Sequence, residues 1–269
     1  MLRSHLSLLD AFLSPAFVQP RQPALYAGYR PPPRFGEPAA EMYPRWVIRA
    51  LIFDFDGLIV DTESPALEAW QKVYRDHGVE LTPEVWAQVI GTREHRFDAI
   101  EHLESLHGAP VERERVNAVR TRHKLEMTDA RPLLPGVLQL VEYARSRGIK
   151  LAVASSSSHQ WVEDNLERRG ILGAFDCIRC REDVERTKPF ADLYLASLDC
   201  LEVEASEAFV FEDSPNGIAA ARAAGIFAIA VPNPVTAPLD LSGANHRLDS
   251  LAMLPPDRLI ADLEARLTT

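Results

Sequence analysis

Two aspartates end an apolar run that begins at Val47, in the segment Phe53-Asp54-Phe55-Asp56-Gly57. Side chains two positions apart on an extended segment point to the same side, so we expect the two carboxylates to converge. Close carboxylates beside a buried strand are unfavourable unless a cation neutralises them or one takes up a proton. A divalent cation that prefers oxygen ligands, such as Mg²⁺, would stabilise the pair. One carboxylate could then attack phosphorus while the other transfers a proton; two solvated loop acids are the alternative.

A second acidic pair, Glu212-Asp213, follows the apolar residues 208–211 and precedes Ser214-Pro215-Asn216-Gly217, which is typical of a helix start. If these two strands are neighbours in a sheet, Asp54, Asp56 and Asp213 surround one ion. An acidic pair before a helix is also favoured by the helix dipole alone. The partnership with the first strand is therefore what favours a metal site.

Hydroxyl groups and a lysine follow two further strands. Residues 151–154 lead into Ser155-Ser156-Ser157-Ser158 and then a helix, so these serines could simply cap that helix. They also bring hydroxyl and free N–H groups to the same sheet edge, where they could hold phosphate oxygens. Lys188 comes after the next apolar run and could neutralise both the nucleophile and the phosphoryl charge.

Short apolar runs alternate with amphipathic segments from residue 47 onward, which predicts a doubly wound, Rossmann-like α/β fold with a parallel sheet. The predicted strands cover residues 47–55, 149–154, 175–179, 208–211 and 227–231. Predicted helices over 136–147, 159–169 and 218–224 each end at a glycine, namely Gly148, Gly170 and Gly225.

The interval 64–131 departs from this alternation, since it has no convincing strand and its apolar residues recur at helical spacing around 66–74. Further helices are predicted over 84–90, 97–106 and 111–127. We interpret 64–131 as a helical cap inserted into a core made of 47–63 and 132–269.

Residues 1–46 hold eight of the 20 prolines and are expected to be an extended or disordered lead. A secretory signal is disfavoured because Asp10 and Pro15 interrupt the apolar run there.

The net charge of −10 argues against nucleic acid and anionic membranes as partners. A small phosphorylated metabolite remains possible as a partner, because a pocket can be locally basic.

The three cysteines are too few for a disulfide scaffold and their number is odd, so we expect a reduced, cytoplasmic protein. Cys177-x-x-Cys180 could be a zinc or redox pair, but no second pair follows. Oligomeric state is not encoded in any of these patterns.

Taken in order, the motifs Asp54-x-Asp56, Ser155, Lys188 and Glu212-Asp213 resemble those of the haloacid dehalogenase superfamily. The resemblance covers the chain from residue 47 onward. The helical insert is similar to that family's small cap, in the branch of β-phosphoglucomutases and sugar-phosphate phosphatases.

This resemblance implies a role for each residue of the motifs. Asp54 would be the nucleophile that forms an aspartyl-phosphate, and Asp56 the acid/base. Ser155 would bind the transferred phosphoryl group, and Lys188 would hold it against Asp54. Mg²⁺ would be bound by the metal set, which consists of the Asp54 carboxylate, the Asp56 backbone carbonyl, Asp213, and Glu212 either directly or through water.

The resemblance also bears on the choice between hydrolysis and isomerisation. Phosphoglucomutases of this branch carry a cap-hinge histidine where this chain has Ala66, so we expect a phosphatase acting on a small phosphate monoester, with a mutase as the alternative. A receiver-type phospho-acceptor module is a further alternative, which Asp56 and the insert disfavour. The remaining residues expected to contact substrate are Gly57, Glu63, Arg93, Ser156 and Ser157.

Overall fold

The computed structural model describes residues 48–86 and 98–267. Its sheet has six strands in the order β3-β2-β1-β4-β5-β6, and every neighbouring pair is parallel. The strands are β1 Ala50–Phe53, β2 Lys150–Ala154, β3 Cys177–Arg179, β4 Ala208–Glu212, β5 Phe227–Ala230 and β6 His246–Arg247. Because β1 lies between β2 and β4, the carboxyl ends of these three strands meet at one edge of the sheet.

Helices cover both faces of the sheet. The α-helices that lie wholly within the described ranges are α1 Glu63–Asp76, α2 Ala99–His107, α3 Arg113–Asp129, α4 Val137–Arg147, α5 His159–Arg168, α6 Asp192–Leu201, α7 Pro215–Ala223 and α8 Pro256–Arg266. One apolar cluster joins α4, α5 and α8 to the sheet, and a second cluster joins α6 and α7 to its other face. The predicted doubly wound α/β fold is therefore confirmed.

Some elements differ from the sequence prediction. β1 ends at Phe53 rather than at residue 55, and β6 was missed because two residues give no readable alternation. Helices α6 and α8 were not predicted either. The predicted helix ends were accurate where a glycine follows, and Gly148 takes the expected left-handed conformation with φ of 70°.

Helices α1 to α3 lie between β1 and β2 in the chain and pack around their own apolar cluster, which includes Val73, Tyr74 and Leu103. We call residues 63–86 and 98–129 the cap segment. The buried Tyr74 hydroxyl donates a hydrogen bond of 2.7 Å to the Ala99 carbonyl, which fixes α1 against α2. The predicted helix 84–90 lies only partly within the described residues, and the predicted lead 1–46 lies outside them.

The cysteines differ from the reduced state expected from their odd number. Cys177 on β3 and Cys200 on α6 form a disulfide with Cα atoms 6.3 Å apart, and Cys180 is a buried free thiol. Cys177 and Cys180 therefore do not act as a pair. No helix within the described ranges is long and apolar enough to cross a membrane.

Candidate active site

Asp54 lies directly beyond the end of β1. Its backbone N–H donates a hydrogen bond of 3.0 Å to the Phe211 carbonyl on β4, so the sheet ladder holds the residue although the strand has ended. Asp54 is buried at 7% exposure. Lys188 engages its Oδ1 atom, while Oδ2 accepts no hydrogen bond from the described residues. One oxygen of this carboxylate is thus restrained and the other is available.

Lys188 is the cation of this site, and its side chain is 6% exposed. Its Nζ pairs with Oδ1 of Asp54 and donates to Oε1 of Glu212 at 2.6 Å. Burial alone would lower the pKa of Lys188, but the carboxylates of Asp54 and Glu212 outweigh burial and raise it. The lysine is therefore charged at every physiological pH.

Glu212, at the end of β4, is fully buried and fully hydrogen bonded. Its Oε1 accepts from Lys188 and from the Tyr194 hydroxyl at 2.6 Å. Its Oε2 accepts from the Asp213 N–H at 3.1 Å and the Ser214 hydroxyl at 3.1 Å. Because both oxygens are occupied, Glu212 serves in this structure as the anchor of Lys188.

Asp213 is held in place by a residue that follows β5, the strand next to β4 in the sheet. The Asn233 side chain, beyond β5, donates to Oδ2 of Asp213 at 2.7 Å and to the Gly57 carbonyl at 3.1 Å. Gly57 has φ of +82°, and a Cβ atom there would lie 2.5 Å from Oδ2 of Asp213. Only glycine allows this close approach. Gly57 therefore packs against the acidic residues.

Three buried carboxylates, from Asp54, Glu212 and Asp213, each contribute one oxygen to a group whose atoms lie within 4.8 Å of one another. Burial and the neighbouring carboxylates raise the pKa of Asp54 to about 8, although Lys188 opposes this. Burial and the carboxylates of Asp54 and Glu212 raise the pKa of Asp213 well above its usual range. One lysine does not neutralise three acids, so the site fits an additional hard cation with a preference for oxygen ligands.

The Asp56 carboxylate is not one of this group of three, but its charge is near enough to contribute to the raised pKa of Asp54. It lies against the segment that follows β2. Its Oδ1 accepts from the Thr62 hydroxyl and the Trp161 indole, both at 2.9 Å. Its Oδ2 accepts from Ser157 at 2.6 Å and from Ser155 at 3.4 Å. Four side chains thus fix the orientation of Asp56.

The other residues predicted to contact substrate differ in their burial and position. Ser155 is buried and accepts a hydrogen bond of 3.0 Å from the Ser157 N–H, whereas Ser156 is exposed. Glu63 lies near Gly57, and burial together with the Asp56 charge raises its pKa to about 7. Arg93 lies outside the described residues.

Sequence reasoning missed three residues that hold the site: Trp161, Tyr194 and Asn233. Asn233 follows the predicted strand 227–231 by two residues, so its place at the same sheet edge was a usable signal. Tyr194 lies within α6 and Trp161 within α5, where aromatic residues are ordinarily read as core. Their roles depend on contacts between distant parts of the chain.

Gly217 in α7 provides a test of the Glu212 anchor. A Cβ atom at this position would lie 1.7 Å from Oε1 of Glu212. We expect Gly217→Ala to displace that carboxylate, lower the free energy of unfolding by about 1–3 kcal/mol and reduce activity. Gly173→Ala, which meets open space, is the matched control. Equal thermal unfolding midpoints for the two variants would contradict the expectation.

The fold and the site together define a class of protein: a doubly wound α/β enzyme with acids, a lysine and serine hydroxyls gathered at the carboxyl edge of the sheet. The profile of the family described as haloacid dehalogenase-like hydrolase matches residues 51–231, more than half of the chain. The chain belongs to that family.

Individual relatives agree with this assignment. YhcW of Bacillus subtilis, whose name assigns it provisionally to the phosphatases, is 37% identical over 220 residues, which cover 82% of this chain and 100% of YhcW. The phosphorylated carbohydrates phosphatase of Thermotoga maritima is 32% identical over 184 residues, 66% of this chain and 82% of that protein. The crystal structure of β-phosphoglucomutase from Clostridium difficile has a TM-score of 0.65 and 25% identity, covering 83% of this chain and 100% of that one. The predicted family and branch are confirmed, and the chain is a phosphoric monoester hydrolase.

Proposed function

We propose that the protein hydrolyses a small sugar-phosphate monoester in two in-line phosphoryl transfers through an aspartyl-phosphate on Asp54. The observation that carries this proposal is the buried Asp54 carboxylate, with Lys188 on Oδ1 and Oδ2 available. The sugar-phosphate class rests on the resemblance to the carbohydrate phosphatase.

In the first transfer, an oxygen of Asp54 attacks phosphorus and the bond from phosphorus to the ester oxygen breaks. Asp56 gives its proton to the departing alcohol and becomes a carboxylate. Lys188 lowers the energy of the charge that develops on the transferred oxygens. The hydroxyl of Ser155 and the N–H groups after β2 bind the other phosphoryl oxygens.

In the second transfer, Asp56 accepts a proton from a water molecule as that water attacks phosphorus. The bond from phosphorus to Asp54 breaks, and inorganic phosphate leaves. Asp56 is protonated again and Asp54 is a carboxylate again, so the enzyme returns to its starting state.

The proposed cofactor is Mg²⁺, held by the carboxylates of Asp54 and Asp213 and by the backbone carbonyl of Asp56. Glu212 would contribute through water, since Lys188 and Tyr194 occupy its Oε1. The ion would neutralise charge on the phosphoryl group and on the carboxylates.

We also propose that the chain is divided into a core of 47–63 and 132–269 and a cap of 64–131. The cap would exclude bulk water during the first transfer.

Removal of divalent ions tests the cofactor. We expect excess EDTA to reduce phosphate release at least tenfold and added Mg²⁺ to restore it, because the buried carboxylates would then lack their second cation. Far-UV circular dichroism in EDTA serves as the control for folding. Undiminished turnover in EDTA would count against the metal.

A panel of sugar phosphates and nucleotides, scored for released phosphate with Mg²⁺ present, tests the substrate class. The alternative function, a mutase, rests on the structural likeness to β-phosphoglucomutase. A mutase would convert a sugar phosphate into its isomer, require a bisphosphate activator and release no net phosphate. Isomer analysis of the same reaction mixtures distinguishes the two functions.

A further inference from the structure

One of the hydrogen bonds that Asp56 accepts comes from an aromatic side chain on α5. The Trp161 indole N–H donates to Oδ1 at 2.9 Å across 105 positions of sequence. An indole N–H is a donor only, so Oδ1 of Asp56 is the acceptor of this bond. Oδ2 lies on the side of Ser157 and Ser155, whose hydroxyls can donate or accept.

The ring of Trp161 also contacts the cap segment. Nζ of Lys124, on α3, lies 4.9 Å from the centroid of the indole ring. This separation is within the range of a cation–π interaction, which restrains the plane of the ring. The same indole thus contacts the acid/base through its edge and a cap lysine through its face.

The helix that carries Trp161 is tied to the end of α3 at two further points. Arg168 forms an ion pair with Asp129 at the last turn of α3. Arg169 donates to the Thr128 carbonyl at 2.8 Å. The position of α3 and the position of the indole are therefore mechanically linked.

We propose that Trp161 is a positioning residue that orients Asp56 for proton transfer, and that Lys124 of the cap segment holds the Trp161 ring in place. This inference rests on the proposed phosphatase function. Its physical basis is that a general acid acts only when its proton points at the leaving oxygen. The cap residue Lys124 would act on Asp56 through the indole without contacting the reacting atoms.

Leaving-group dependence distinguishes this role from a merely structural one. A sugar alcohol leaves poorly without a proton, whereas p-nitrophenolate leaves readily as an anion. Trp161→Phe keeps a ring for Lys124 but removes the N–H donor. We expect this variant to lose roughly tenfold or more in kcat/KM on a sugar phosphate, since a hydrogen bond to a charged group is lost. On p-nitrophenyl phosphate we expect a loss of about threefold at most, because that reaction needs little acid catalysis.

Lys124→Met tests the cap contact. We expect a loss of about threefold to tenfold on the sugar phosphate only, and no further loss when Lys124→Met is added to Trp161→Phe, since both act through one hydrogen bond. Trp70→Phe is the matched control, because Trp70 lies under Arg120 at 5.6 Å in a similar pair within the cap segment. Its kinetics on both esters should equal those of the wild type.

Equal losses on the two esters, or no loss on either, would overturn the role of Trp161. Losses from Lys124→Met and Trp161→Phe that multiply would overturn the link through the indole. If the wild type released no phosphate from any ester, the proposed function itself would fail, and that outcome is distinct from the others. Should Trp161→Phe not fold by circular dichroism, the Lys124→Met result on the two esters still decides the proposal.

Discussion

Asp54→Asn is expected to reduce phosphate release by at least about a thousandfold while the protein remains folded. The amide has nearly the shape of the carboxylate but is not a nucleophile at phosphorus. Lys188 keeps Glu212 as a charged partner in the variant. Because burial and nearby acids already disfavour a charge at Asp54, a neutral side chain should not lower the free energy of unfolding.

Steady-state phosphate release and thermal unfolding of the same samples measure this expectation. The exposed Asp164→Asn is the matched control and should retain full activity. Acid quenching with a radiolabelled ester should leave label on the wild type and none on Asp54→Asn. Phosphate release within tenfold of the wild type in Asp54→Asn would rule out Asp54 as the nucleophile.

Lys188→Met is expected to have the next largest effect, on both activity and stability. Methionine fills a similar volume without a charge, which removes the ammonium group that pairs with Asp54 and Glu212 among the described residues. Breaking a buried ion pair from one side costs about 3–5 kcal/mol. Loss of the charge that stabilises the transferred phosphoryl group should lower kcat by about a hundredfold or more.

The stability of this variant should also depend on pH and on Mg²⁺. In the wild type, burial raises the pKa of Asp54 from 3.8 to about 8, so the folded state retains a proton that the unfolded chain releases. In Mg²⁺-free buffer the contribution of Asp54 to stability therefore falls as pH rises from 3.8 to about 8. Lys188 lowers the pKa of Asp54, so without this lysine the fall should extend to higher pH and be larger in total, and added Mg²⁺ should oppose it.

Denaturant unfolding at several pH values, with and without Mg²⁺, measures both effects. Lys72→Met is the matched control, because the ammonium group of Lys72 pairs with Asp76 at the surface and contributes about 1 kcal/mol at most. If Lys188→Met and Lys72→Met unfold at the same denaturant concentration, Lys188 does not neutralise the buried acids.

The class of fold and the sheet edge that carries the candidate site can both be read from the amino-acid sequence. Apolar runs ending in Asp54 and Glu212-Asp213, and helices ending at glycines such as Gly148, are local signals whose physical cause acts within a few residues. Parallel strands joined by helices bring their carboxyl ends to one edge, so strand order alone gathered Asp54, Ser155 and Asp213.

The contacts between the side chains of the site could not be read from the sequence and are seen in the folded protein. Asp56 accepts hydrogen bonds from Ser157 and Trp161, while Lys188 joins Asp54 to Glu212. The direction of a side chain beyond a strand depends on backbone turns and on packing against elements more than 100 positions away, as for Trp161. Such contacts leave no periodic pattern in the sequence, because each is set by the closure of the whole fold.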